Sequence, residues 1–229
     1  MNLSHSRERT DMKRFATCLL WLAFGTMAAC TTPAPKTVQP ESPKESPSRE
    51  FYSKAFGFGL TKPEGWYLIN DSVLQEDRNT IRLDDAELEK MRRQNPNIPL
   101  VVFTRHPEPY PTLNPSVAVT VSFLPVEGVP PVDAMKMSTE ISRLGFPDLK
   151  EVEPPQPAVV SGMEGAYTHV TYTAMFADGQ KFLTRTRMWI IPRGKIMFTI
   201  GMTGPQEGPD IFEDLYPQIL KSVKIDPQP

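Results

Sequence analysis

The sequence predicts an α+β fold, an antiparallel sheet with helices packed on it. Three observations predict it. Strand patterns outnumber helical ones, no βαβαβ alternation is present, and two glycine-containing turns punctuate the run from Glu164 to Met202. A chain of 229 residues allows one domain or two small ones. No internal repeat divides it.

The first thirty residues do not belong to that fold. Lys13 and Arg14 precede an uncharged run from Phe15 to Ala29, the charged and apolar regions of a secretory signal. The run is short of the roughly 20 apolar residues that span a bilayer. It ends in Met27-Ala28-Ala29-Cys30, which resembles the bacterial lipobox, with Met27 where leucine is usual. That resemblance implies cleavage before Cys30 and diacylglycerol on its thiol, so residues 1–29 form a lipoprotein signal peptide. An ordinary secretory signal with an incidental cysteine is the simpler alternative. Met12, directly before Lys13-Arg14, is an alternative start. Thr31 stands where an aspartate would resemble an inner-membrane retention signal, which favours the outer membrane, facing the periplasm. The expected partner here is the membrane itself, through lipidated Cys30.

Residues 30–50 read as the lipidated cysteine and a disordered tether. Pro, Ser, Glu and Lys dominate it, with Val38 its one branched aliphatic residue, so it buries too little to fold. As a coil it spans about 25 Å. Loss of residues 1–29 removes four basic and two acidic residues, leaving 21 basic against 25 acidic. That balance gives no electrostatic reason to bind anionic lipid, and no basic stripe argues for nucleic acid. Cys18 lies in the leader and Cys30 at its end, so no free thiol is expected in the mature chain.

Residues 51–229 are predicted to form a single domain. Phe56-Gly-Phe-Gly-Leu60 alternates as a strand, Lys62-Pro-Glu-Gly65 is a turn, and Trp66-Tyr-Leu-Ile69 a second strand. Asp84 and Asp85 open a helix with acidic residues early and Arg92-Arg93 late, which suits the helix dipole. Strands follow at Leu100–Thr104 and Val117–Leu124. A helix begins after Pro131 and Asp133, with Ala134, Met137, Ile141 and Leu144 at helical spacing and Gly145 at its end. Two-residue turns at Asp178-Gly179 and Arg193-Gly194 then set a register. It puts Tyr172 opposite Arg185, Val170 opposite Arg187, Thr168 opposite Trp189, and Trp189 opposite Phe198. One face would carry Tyr172, Val170, Leu183, Trp189, Phe198, Ile200 and Met202. The other would carry threonine pairs, with His169 opposite Met188. A last helix is predicted from about Asp210 to Val223, kinked at Pro217.

Several segments resemble the PsbP-like domains, including the DcrB-like envelope lipoproteins. They are Gly57-Phe-Gly-Leu-Thr-Lys-Pro-Glu-Gly-Trp66, Val159-Val-Ser-Gly-Met-Glu-Gly-Ala166, the Ile196–Met202 strand and the closing Phe212–Ile225. The likeness covers roughly residues 56–226. It implies an α-β-α sandwich around an antiparallel sheet. It also implies a binding or assembly role, and no shared catalytic set comes with it.

Catalytic chemistry finds little footing in the sequence. His106 and His169 stand far apart without metal-ligand spacing, and no nucleophile elbow or phosphate loop is present. No enzyme activity, cofactor, catalytic residue or metal site is expected. Two features rise above that background. Arg185 and Arg187 share one side of a strand on its apolar face, where guanidinium groups need carboxylates or water. Glu213 or Asp214 could supply them, with Arg185 over Tyr172. The second feature is Arg105–Pro115, a connection with four prolines that stiffen the presentation of His106, Tyr110 and Leu113. Candidate partner-binding residues are therefore His106, Tyr110, Leu113, Arg185 and Arg187. The expected function is a lipid-anchored, non-enzymatic protein-binding or assembly module of the cell envelope, with an envelope protein as partner. The alternative is a small-ligand or lipid carrier, its apolar pocket lined by Trp66, Trp189, Phe198, Ile200 and Met202.

Overall fold

The computed structural model describes residues 49–69, 97–124, 127–176 and 179–226. The leader, Cys30, most of the tether, the helix expected after Asp84-Asp85 and Asp178 of the first turn lie outside the described residues. The remaining chain builds β1 (Glu50–Ser53), β2 (Phe58–Thr61), β3 (Tyr67–Leu68), β4 (Asn97–Thr104) and β5 (Ser116–Phe123). Helix α1 (Pro131–Gly145) and strands β6 (Lys150–Val160), β7 (Met163–Met175), β8 (Lys181–Arg193) and β9 (Ile196–Pro205) follow. Helix α2 (Tyr216–Ser222) and β10 (Lys224–Ile225) close the chain. Seven strands form an antiparallel sheet in the order β3-β4-β5-β9-β8-β7-β6. A small sheet, β1-β2-β10, is not hydrogen-bonded to it but packs against it.

The large sheet is covered on both faces. On one, Val117, Val119 and Val121 of β5 and Phe198, Ile200 and Met202 of β9 join Phe58, Leu60, Phe212 and Ile219 in the main core. Helix α1 covers the other face through Ala134 and Met135 against Ala166, Met188, Ile190 and Met197. Strand β9 is therefore buried on both sides over its first seven residues, which explains its nearly unbroken apolar run. The face that α1 buries carries Ala134, Met135, Ser138 and Thr139. That corrects the stripe expected through Met137, Ile141 and Leu144, since Met137 and Leu144 are exposed. Small residues let the helix lie close to the sheet. Thr139 and Ser142 turn their hydroxyls back to the carbonyls of Met135 and Ser138, at 3.0 and 2.9 Å.

The hairpin registers differ from those expected. Thr171 pairs with Arg185, His169 with Arg187 and Tyr167 with Trp189. The cause is a three-residue loop: Phe176 N–H donates to Gln180 and Gly179 N–H to Phe176, with Gly179 at φ +84°. One extra loop residue turns every β7 side chain to the opposite face. Tyr172 and Val170 thus leave the main core and pack with Phe146 and Leu149 beside α1. His169 moves to the face of Arg187. The second turn uses Gly194-Lys195, so Trp189 pairs with Ile200 and Phe198 with Ile191. That slip moves each partner by two residues and leaves the faces unchanged.

Strand β6 has no counterpart in the predicted elements, because Pro154, Pro155 and Pro157 argue against a strand. It lies at the sheet edge, where a missing N–H can face away from the ladder, and its pairing is interrupted twice by irregular register. Ser161 and Gly162, at φ +54° and +78°, make the tight turn into β7. Pro217 does not kink a long final helix. The helix is Tyr216–Ser222, preceded by turns, and Pro217 sits in its first turn, where its missing N–H costs nothing.

Candidate functional site at one end of the sheet

Antiparallel pairing brings the C-terminal ends of β4 and β9 and the N-terminal ends of β5 and β8 to one end of the large sheet. The loop 105–115 crosses that end, closed at its base by Arg105 N–H donating to Pro115 at 2.8 Å. Asn114 builds its interior. Its amide accepts from His106 N–H at 3.1 Å and donates to the His106 carbonyl and to Glu108 Oε1 at 2.9 and 2.8 Å. The other Glu108 oxygen takes the Tyr110 N–H at 3.0 Å. These bonds hold the His106 and Tyr110 rings face to face, 4.4 Å apart and 7° from parallel. Leu113 is half-buried. Of the candidate residues, His106 and Tyr110 are brought together as a preformed platform.

Arg185 and Arg187 lie on the core face of β8, and both find partners from the chain between β9 and α2. Arg187 is buried, donating to Asp210 Oδ2 at 3.1 Å, to Tyr167 Oη at 2.7 Å, and to Glu213. Glu153 stands 3.4 Å away, and the Tyr216 ring lies 5.1 Å from the guanidinium carbon. Arg185 donates to the carbonyls of Pro205, Gln206 and Gly208. Arg187 therefore stacks on Tyr216, and the expected contact of Arg185 with Tyr172 is not made because Tyr172 is on the other face. Glu213 is a partner as anticipated. Asp210, the more buried carboxylate, was not anticipated, and no local pattern marks it.

Charge and burial compete within this cluster. Burial would raise the Asp210 carboxyl, but the Phe212 N–H and Arg187 outweigh it and hold the pKa below the usual range. Burial also works against the Arg187 charge, and Tyr167 and Asp210 more than offset it. Burial and the hydrogen bond to Glu153 push the Tyr167 hydroxyl well up. His169, 3.6 Å from Glu153 through Nδ1, is pulled down mainly by burial and then by Arg187. Its buried Nε2 has no hydrogen-bond partner among the described residues. Chemically the cluster is a clamp: Arg187 and its carboxylate and phenol partners satisfy one another and fasten residues 205–213 over the sheet.

Between the loop base and that segment lies an open groove of about 610 Å³, bordered by Arg49, Lys62, Trp66, Arg105, Ile211 and Leu215, among others. Lys62 is buried and its Nζ donates to the Trp66 carbonyl at 2.6 Å. Sequence reading placed Lys62 in a turn and overlooked it, since a lysine beside Pro-Glu-Gly looks solvated. Of the five residues expected to line an apolar pocket, Trp66 alone borders this groove. Trp189, Phe198, Ile200 and Met202 are packed in the main core. Among the described residues no helix is long and apolar enough to cross a membrane.

No protein-family profile matches the chain, and no curated protein matches it. Solved structures do. The chain is similar to LpqN of Mycobacterium tuberculosis, described as involved in cell envelope biogenesis, at 12% identity and a TM-score of 0.46. The match covers 80% of this chain and 87% of that one. It is similar to cyanobacterial PsbP from Synechocystis sp. PCC 6803 at 11% identity and a TM-score of 0.45, covering 77% and 91%. A protein of Bacteroides thetaiotaomicron matches at 13% identity and a TM-score of 0.40, covering 78% of this chain. This chain spans about half of that protein's length, 48%. The architecture seen here, an antiparallel sheet with helices on it, is the α+β arrangement that the PsbP-like resemblance implied.

Proposed function

We propose that the chain is a lipid-anchored, non-enzymatic protein of the cell envelope that acts as a protein-binding or assembly module. The observation that carries this reading is the loop 105–115, whose stacked His106 and Tyr110 are held by Asn114 and Glu108. A platform ordered before binding loses little entropy when a partner arrives. The sequence Met27-Ala28-Ala29-Cys30 supports the anchor, and Thr31 in place of a retention aspartate supports a periplasm-facing outer-membrane site. The non-enzymatic reading draws support from Arg187, Asp210, Tyr167 and Glu153, whose polar atoms are spent on one another.

A carrier is the second reading, favoured by the groove with Trp66, Ile211 and Leu215 on its walls. Photo-crosslinking in cells separates the two, with one probe at Tyr110 and another at Ile211, which is 41% exposed. Arg187 is too buried to hold a probe without breaking the clamp. Recovery of one envelope protein at Tyr110 is the expected result. Lipid at Ile211 and nothing at Tyr110, in a correctly localised protein, would overturn the module in favour of the carrier.

A further inference from the structure

The hairpin of β7 and β8 outruns the rest of its sheet. Pairing with β6 stops at Thr171, and pairing with β9 stops at Thr184. Beyond those positions, Asp148 receives the Thr173 N–H and hydroxyl, and Gln206 N–H reaches Leu183. At about 3.3 Å per residue, the remainder projects roughly 7–10 Å. What projects carries four apolar side chains, with Gln180 and Lys181 exposed beside them. Met175, Phe176 and Leu183 are 54%, 37% and 49% exposed, and Phe182 is half-buried with its ring 4.9 Å from that of Phe176. The alternation of a strand pair puts Phe176 and Phe182 on one face and Met175, Leu183 and Lys181 on the other. A hairpin that docks on a flat protein surface needs one apolar face. An end with apolar side chains on both faces and Lys181 at its margin suits the bilayer interface, where the apolar groups are buried and the ammonium stays among the headgroups.

The direction of this end matches. Arg49, the first described residue, borders the groove with Arg105, which directly follows β4. The tether from Cys30 thus joins the domain at the end of the sheet that carries the hairpin tip. We infer that Met175, Phe176, Phe182 and Leu183 enter the interfacial region of the lipid bilayer and form a second membrane contact beside the anchor. The inference rests on the lipid-anchored reading proposed above. The projection is comparable to the 5–10 Å to which interfacial elements insert. A mature chain with 21 basic and 25 acidic residues gains no general attraction to anionic lipid, so the anchor must supply the local concentration.

The test uses the full lipidated chain in vesicles of phosphatidylethanolamine and phosphatidylglycerol, with a fluorophore on a single introduced thiol. Met175→Cys places it at the tip, and Val159→Cys, exposed at the far end of β6, is the control. Brominated acyl chains should quench the first label about twofold or more and leave the second unchanged. Adding Phe176→Ser and Leu183→Ser should abolish that quenching while the protein still floats with the vesicles. Flotation with equal quenching at both positions overturns the hairpin contact and leaves the anchor standing. So does a tip label shielded only by an added envelope protein, which would make the tip a protein contact. Failure of the chain to float, with Cys30→Ala behaving identically, overturns the anchor and this inference together.

Discussion

Arg187 shows how one buried charge organises this end of the molecule. Its guanidinium is enclosed by Asp210, Glu213, Glu153 and Tyr167, with Tyr216 beneath. Removing the most buried carboxylate leaves a cation short of compensation, so Asp210→Asn should cost about 3 kcal/mol at neutral pH in urea unfolding. Acid should act in two stages. His169 has a lowered folded pKa, so its contribution is complete above the ordinary 6.5 and is lost as pH falls through that value toward the lowered one. Asp210 follows the same sign from 3.8 downward, its charged form being the one the fold prefers. Stability measured between about pH 7 and 5 should therefore decline, and His169→Gln should flatten that decline. An unchanged slope in this variant would remove His169 from the account. Arg185 and Arg187 were legible as a pair on an apolar face. Their partners were not, because Glu153 and Asp210 stand 34 and 23 residues from Arg187 and only the folded chain joins them.

Elements were readable where period and punctuation agreed. Strands β4, β5, β8 and β9 and helix α1 lie close to their expected positions, each with a clear period and a bounding turn or proline. Strand β6 escaped because its prolines contradict the pattern that edge position permits. The β7 register failed through a single loop residue, since Asp178-Gly179 serves a two-residue or a three-residue connection equally well in sequence. The loop 105–115 was legible as stiff from its prolines, yet its order comes from Asn114, whose side chain spans the loop. Asn114→Ala removes three hydrogen bonds and should loosen residues 106–114 by about 1–2 kcal/mol. Hydrogen exchange should rise across that loop and stay constant in β5 and β9. If exchange in the loop does not change, the prolines alone hold it.

At the scale of the whole molecule the two sheets share one core, because Phe58 and Leu60 of β2 pack with β9 and Phe212. The Phe58 ring lies 5.0 Å from that of Phe198 and is fully buried. Phe58→Ala should cost about 3–5 kcal/mol. Tryptophan fluorescence and far-ultraviolet dichroism should shift by the same amount and remain coincident. Two separated transitions would mean that the small sheet folds as its own unit. By itself the sequence determined the fold class, most of the elements and the turn positions to within a residue, because composition, period and turn chemistry are local properties. Only the tertiary structure decided which face of β7 is core, which carboxylates hold Arg187, and that Arg49, the loop 105–115 and the projecting ends of β7 and β8 lie at one end of the sheet. Those relations join residues far apart in the chain, and pairing across the sheet is what sets them.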